Sequence, residues 1–385
     1  MTKATVRPLA FQTEADPDTG ARVTRLTPED VTCHRNYFYQ KCFTNDGRKL
    51  VFGGGFGPGS DWNYHLLDLD TQTALQLTDQ PDENTFGGFL SPDDRHLYFV
   101  RQKRHLVRLA LDTLQEEVVY AVPEGWVGYG TWVPNSACTK VVGIEIAAED
   151  WFPLSDWQKF NEMFERQPRC RLFSIDLATG ARQVILEQKG WLGHPQYRPF
   201  DDRTVAYCHE GPHDRIDARM WFIDEDGTNR RCGKPHENGE SCTHEFWVPD
   251  GSAMIYVSYL KDSPDRWIRS LDPVTLADRP LTQMPPCSHL MSNHDGTLIV
   301  GDGCGHAAAG NNEMLTGDPF LHLFDLKAGT TRRLARHDSS WGVYKGDRQV
   351  THPHPSFTPD DRQVLFSCDK RGEPGLFLVD LVDLA

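Results

Sequence analysis

Apolar and polar residues alternate in short runs along this chain, and the runs keep returning behind the same kind of turn. A turn-then-strand phrase reads FTNDGRKLVF from Phe43, LSPDDRHLYF from Leu90, WVPNSACTKVVGI from Trp132 and YRPFDDRTVAY from Tyr197. It returns as WVPDGSAMIYV from Trp247, MSNHDGTLIV from Met291 and FTPDDRQVLF from Phe357. The Pro or Asn with its following Asp and Gly supplies the Asx-turn and positive-φ chemistry of a tight turn, and the alternation behind it predicts a strand. Between the copies lies a second marker, a strand that ends in aspartate. Its residues are Asp68, Asp176, Asp224, Asp272, Asp325 and Asp380, with Ala110 at the equivalent place in the remaining copy. Two independent markers that each count seven predict seven repeats.

Each unit has room for four short antiparallel strands, and radial repetition of such sheets is how a β-propeller avoids exposed edges. The expected fold is therefore all-β, a seven-bladed β-propeller, as one domain over residues 1–385 with a short helical insertion. Two intervals are wide. The one around 146–168 places Trp157, Phe160, Met163 and Phe164 at helical spacing, which predicts a short amphipathic helix; simple packing is its plain reading and a lid over substrate the sharper one. The other, around 304–318, is Gly-rich and polar and reads as a loop. The stretch near Ala21 to Leu26 is expected to pair with the last blade and close the ring.

Composition adds constraints rather than changing the fold. Hydrophobic residues make up 38% and charged ones 25%, an ordinary globular balance. No apolar run reaches signal-peptide or membrane-span length, so a cytoplasmic protein without a membrane partner is expected. The ten cysteines include no CxxC pair and read as free, mostly buried thiols. A net charge of −15 argues against nucleic acid, because binding a phosphate backbone needs a surplus of clustered Lys and Arg. An anionic ligand has to meet a locally basic pocket.

The chemistry appears when the repeats are aligned. Five residues before the Pro, Asn or His that begins each turn stand Gln40, Gly87, Tyr129, His194, His244, His289 and His354. A repeat places equivalent residues at equivalent radius and height, so four imidazoles are expected on one arc of the central channel. In QVTHPHPSF, Gln349 and His352 flank the last of them, and an extended strand would put His352 and His354 on one face. Any single histidine is more often structural than a ligand, but four in one register beside an HPH pair point to a functional cluster. Three imidazoles and an oxygen donor leave coordination positions open, which suits zinc, nickel, iron or manganese without choosing among them.

A weaker constellation, CHEGPHDRIDARMW from Cys208, concentrates His209, Glu210, His213, Arg215 and Arg219; such mixed-charge loops are usually solvated surface. Arg219 stands out because it immediately precedes the WFID strand, from which it could reach the axis. A serine hydrolase is disfavoured, since no GxSxG occurs and about twenty residues follow the seventh repeat.

These phrases, with CHRNYFYQKCF and ESCTHEFWVPDGS, identify a resemblance over essentially the whole chain. The chain resembles the oligogalacturonate lyases, cytoplasmic seven-bladed propellers that use manganese to break down short pectin fragments. The resemblance implies a Mn2+ site made by His289, Gln349, His352 and His354, with His244 as base and Arg219 beside it. It implies a small acidic oligosaccharide as substrate, cleaved by β-elimination. Arg35, Gln40, Lys41, Tyr129, His194 and His209, near the channel by register or by resemblance, are candidate substrate contacts. A noncatalytic binding or scaffold propeller is the alternative, because fold by itself does not imply function.

Overall fold

The computed structural model describes residues 2–57, 61–237, 239–260, 263, 265–303, 318–345, 347 and 349–381. Its strands form seven antiparallel sheets, five of four strands and two of five, which are the blades of a seven-bladed β-propeller. They divide between two compact units. One, Met1–Arg95, Leu111–Leu114 and Met284–Ala385, carries the first blade and the last two; the other, His96–Ala110 and Gln115–Gln283, carries blades three to five and three strands of blade two.

The two sequence markers have local physical causes. In five of the seven turn phrases the residue two places after the first turn residue has a left-handed backbone: Gly47, Asp94, Gly251, Gly296 and Asp361. Four of the strand-ending aspartates cap the turn that follows. Asp68 accepts from the backbone N–H of Thr71, Asp176 from Ala178 and Thr179, Asp272 from Val274 and Thr275, and Asp325 from Lys327 and Ala328. Asp224 departs from this use and takes the side chains of Arg203 and Asn229.

The expected pairing of the N-terminal segment with the last blade is present. Arg22–Arg25 pairs with Gly375–Asp380, matching Val23 to Val379 and Arg25 to Phe377. Val6–Pro8, just before it, pairs with Thr73–Gln76 at the edge of the first blade. Arg25 is buried where the segment enters, and its guanidinium donates to the carbonyls of Thr27, Pro28, Arg371 and Glu373. These bonds satisfy carbonyls that leave the ladder.

The expected helix is Trp157–Arg166, capped by the Asp156 carboxylate, which accepts from Lys159 N at 2.9 Å, and ended by Gln167 in the left-handed region. Met163 is fully buried in the same cluster as Trp191 and Leu192, and Phe160 packs on Trp191 at 4.8 Å. The aromatic stripe is thus a packing face. The Gly-rich segment expected as a loop lies, from 304 to 317, outside the described residues. No helix among the described residues is long and apolar enough to cross a membrane.

Three histidines of the first unit are buried. His34 stacks on Phe86, His65 on Phe52, and His337 accepts the backbone N–H of Ser339 at Nδ1. Burial pulls each down to about 4; a backbone hydrogen bond offsets part of it at His34 and His65, and the Asp302 charge does so at His337. The unfolded chain, with imidazoles near 6.5, then binds protons that the native state refuses, so stability is complete above pH ~6.5 and falls as the pH drops toward 4. The expected slope is about 1.4 kcal/mol per pH unit per histidine inside that window. Urea midpoints at pH 7.5, 6.0 and 5.0 check this; a midpoint that stays flat across the series overturns it.

Candidate metal centre and charged cluster

The first strand of a blade is buried and has to pair its backbone, yet four of these strands break their ladder close to the position the repeat register singled out. The register slips between Tyr129 and Val133, between Gly193 and Gln196, between Thr243 and Phe246, and between Cys287 and Leu290. A bulge of this kind re-aims side chains and leaves backbone groups in need of other partners. His194 and His244 take left-handed φ of 47° and 56° there, uncommon for a residue other than glycine.

In the first unit, His289, His352 and His354 are buried, and their ligand nitrogens lie within 4.8 Å of one another. The ring centroids of His289 and His354 stand 4.0 Å apart, those of His289 and His352 5.4 Å. Trp341 stacks against His352 at 4.2 Å and against His289 at 5.6 Å, while Tyr37 and Phe38 approach His354 at 5.1 and 5.9 Å. The expected strand under the HPH pair is absent. Gln349–Thr351 forms a 3-10 turn and His354 has φ 46°, so the two imidazoles converge through a bend and not through strand alternation. Pro353 and Pro355 explain this, since neither can donate to a ladder. Asp302, wholly enclosed, accepts from His289 N, Oδ2 lies 2.9 Å from His289 Nδ1, and it also accepts from His354 N.

The donor set fits a divalent cation. Three imidazoles are the commonest nitrogen ligands, and Gln349 Oε1 is a buried acceptor with no hydrogen-bond partner among the described residues.

The second unit carries a charged cluster of its own. Arg219, 3% exposed, donates from Nε to Glu245 at 2.9 Å and from Nη1 to Glu210 at 3.3 Å. Glu210 also meets His194 Nε2 at 3.1 Å. Burial works against the charge on Arg219, but Cys208, Glu245 and Glu210 outweigh it and hold the guanidinium above its ordinary value. For Glu210 and Glu245 burial likewise opposes ionisation, and Arg219 with His194 more than offsets it, leaving both below the usual carboxylate range. A solvated mixed-charge loop was the expectation for Glu210; it is instead a buried ion-pair partner. His244 stands edge-on to His213 with centroids 6.5 Å apart, and His213 is held by Tyr259 OH at 2.9 Å. Tyr129 packs between Trp151 and Trp191, and burial together with the Glu210 charge keeps its phenol protonated.

Other candidate contacts are committed within the protein. Arg35, 1% exposed, donates to Asn36 O, Ser356 Oγ and Leu365 O, so it clamps the first blade to the last and presents no open guanidinium. Lys41 pairs with Asp94 at 2.6 Å and donates to Ser91 O in the next turn phrase. Gln40 donates to Gly87 O. His209 packs on Trp221 beside Gln188 and Arg230, and burial lowers it to about 4. Sequence reasoning missed Asp302, Trp341 and Glu245. An acid within the apolar run LIVGDG was the available signal for Asp302; Trp341 and Glu245 carried none.

Fold and site together define a β-propeller with a histidine metal centre. A family profile described as oligogalacturonate lyase matches residues 1–385. An oligogalacturonide lyase of Pectobacterium atrosepticum is 62% identical, over 100% of this chain and 99% of the relative. An oligogalacturonate lyase of Dickeya dadantii is 60% identical over the same shares. A solved structure of an oligogalacturonate lyase in complex with manganese is 63% identical, covers 100% of this chain and 99% of its own, and superposes with a TM-score of 0.94. The chain belongs to the oligogalacturonate lyase family; it is an enzyme, a lyase, and not a scaffold propeller.

Changing both His352 and His354 to Ala is expected to abolish stoichiometric divalent-metal binding while leaving the β-sheet circular dichroism spectrum unchanged. Elemental analysis of the purified double variant reads it, and undiminished metal would count against the assignment.

Proposed function

We propose that this enzyme cleaves short oligogalacturonates, digalacturonate among them, by β-elimination, with His289, His352, His354 and Gln349 holding Mn2+. The observation that carries the reading is the convergence of three buried imidazoles in a chain of this family. The manganese complex of the related lyase supports the choice of metal. When bound, the cation supplies Lewis-acid withdrawal of charge from the uronate carboxylate.

The protein's own residues do the rest. The proton on carbon 5, next to the carboxylate, is a poor acid, and its loss expels the glycosidic oxygen from carbon 4. Removing it needs a base matched to neutral pH, and the unperturbed imidazole, near 6.5, suits His244 to that role. Arg219 supplies a fixed positive charge where the enolate-like transition state becomes more negative. Its orientation is set by the two glutamates that take Nε and Nη1, so little reorganisation remains at the moment of reaction. Tyr129 and His194 are proposed substrate contacts near Arg219, His194 through its bond to Glu210. The nine cysteines among the described residues are free thiols, in keeping with a cytoplasmic site of action.

His244→Ala is expected to keep Mn2+ and substrate affinity while slowing the chemical step about 10²- to 10⁴-fold. Arg219→Ala should lower turnover with metal retained. Ultraviolet absorbance of the unsaturated product with short oligogalacturonate, beside metal analysis of the same samples, separates the roles. Metal lost together with activity in His244→Ala would make that residue a ligand; parent-rate elimination with metal bound would remove it from the base role.

A further inference from the structure

We propose that Asp302 is a positioning residue of the metal centre: it selects the tautomer of His289 and ties His354 into register with it. The inference rests on the reading that these histidines hold a divalent cation, and it starts from the ladder. Between the paired Cys287–Gly303 and Leu290–Gly301, two residues of the first strand, Ser288 and His289, oppose the single residue Asp302. The bulge takes the His289 N–H out of the ladder, and the Asp302 carboxylate accepts it at 2.7 Å. The corresponding positions opposite the bulges of the three preceding blades hold Gly143, Tyr207 and Tyr256. A charged residue at this place therefore belongs to one blade and not to the repeat.

The second contact sets the chemistry. Asp302 Oδ2 lies 2.9 Å from His289 Nδ1, and a carboxylate can only accept, so Nδ1 carries the proton and Nε2 keeps its lone pair. A ligand imidazole needs its free nitrogen fixed in this way, and a carboxylate partner also raises its basicity. The third contact reaches another segment: Asp302 Oδ2 accepts from His354 N at 3.0 Å. His354 sits in the left-handed region at φ 46°, a conformation that persists only where surrounding bonds over-determine it. One enclosed carboxylate thus joins two ligands that are 65 positions apart in the chain, 354 minus 289.

Three proteins test this: the parent, Asp302→Asn, and Asp318→Asn. Asp318 meets His322 Nε2 at 3.0 Å in the same blade, so its variant breaks a comparable carboxylate–histidine contact in which none of the three converging imidazoles takes part. The dissociation constant for Mn2+, read from the electron paramagnetic resonance of free Mn2+, is expected to rise about 10- to 100-fold in Asp302→Asn and to stay at the parent value in Asp318→Asn. Long-range proton–nitrogen spectra of metal-free, 15N-histidine-labelled protein, with His289 assigned from a His289→Gln sample, should show Nδ1 protonated in the parent and a shift toward the other tautomer in Asp302→Asn. A folded Asp302→Asn protein that binds Mn2+ at parent affinity overturns the proposal. So does a parent His289 protonated on Nε2, a result that needs no variant to fold. A parent that fails to bind Mn2+ defeats the metal reading instead, while the metal-free tautomer still decides the role of Asp302.

Discussion

The buried first strand of a blade has to satisfy its backbone, and His194, His244 and His289 stand where that requirement is broken. A strand in the middle of a packed molecule cannot leave an N–H unpaired without a cost comparable to a lost hydrogen bond. At the bulges of blades three to six the ladder lapses for two or three residues of the first strand. What fills the gap differs from blade to blade, and those differences set apart blades that the repeat would make alike. In blade six a carboxylate fills it; in blades four and five a histidine turns into a left-handed backbone conformation.

Burying charge is the second consequence. The chain carries a net −15, and its enclosed charged groups each have partners: Arg219 lies between Glu210 and Glu245, and Asp302 meets two backbone N–H groups and the His289 ring. An isolated buried charge would shift its pKa and neutralise; Arg219, Glu210 and Glu245 are instead held in their charged forms by one another. Such an arrangement contributes little net stability, but it fixes orientation. In the proposed mechanism, an arginine facing a developing enolate and imidazoles facing a cation both depend on that fixity more than on affinity.

Family membership and site geometry answer different questions. The likeness over the full chain establishes an oligogalacturonate lyase, whereas the division of labour among His244, Arg219 and the imidazole triad is a matter of chemistry at particular atoms. Geometry also separates residues that sequence position had grouped. Arg35 and Lys41 stand in the same phrase as Tyr37 and Phe38, but only the two aromatic residues pack against the metal-centre histidines.

By itself the sequence determined what has a local cause: seven repeats, written in turn residues with left-handed backbones and in capping aspartates, and the helix after Asp156; the pairing of the segment near Ala21 to Leu26 with the last blade was an expectation that the fold bore out. It also marked His289, His352 and His354, because a repeat copies position and the HPH pair is adjacent. Tertiary structure alone decided what depends on partners far away in the chain. His194 and His244 are the first residues of their bulges while His289 is the second of its own, a one-residue slip that equal spacing from the turn conceals. His354 bends where strand alternation was expected, Glu210 is buried where solvent was expected, and Asp302 reaches both His289 and His354. Periodicity records the ladder, and the chemistry of this protein lies where side chains replace the ladder.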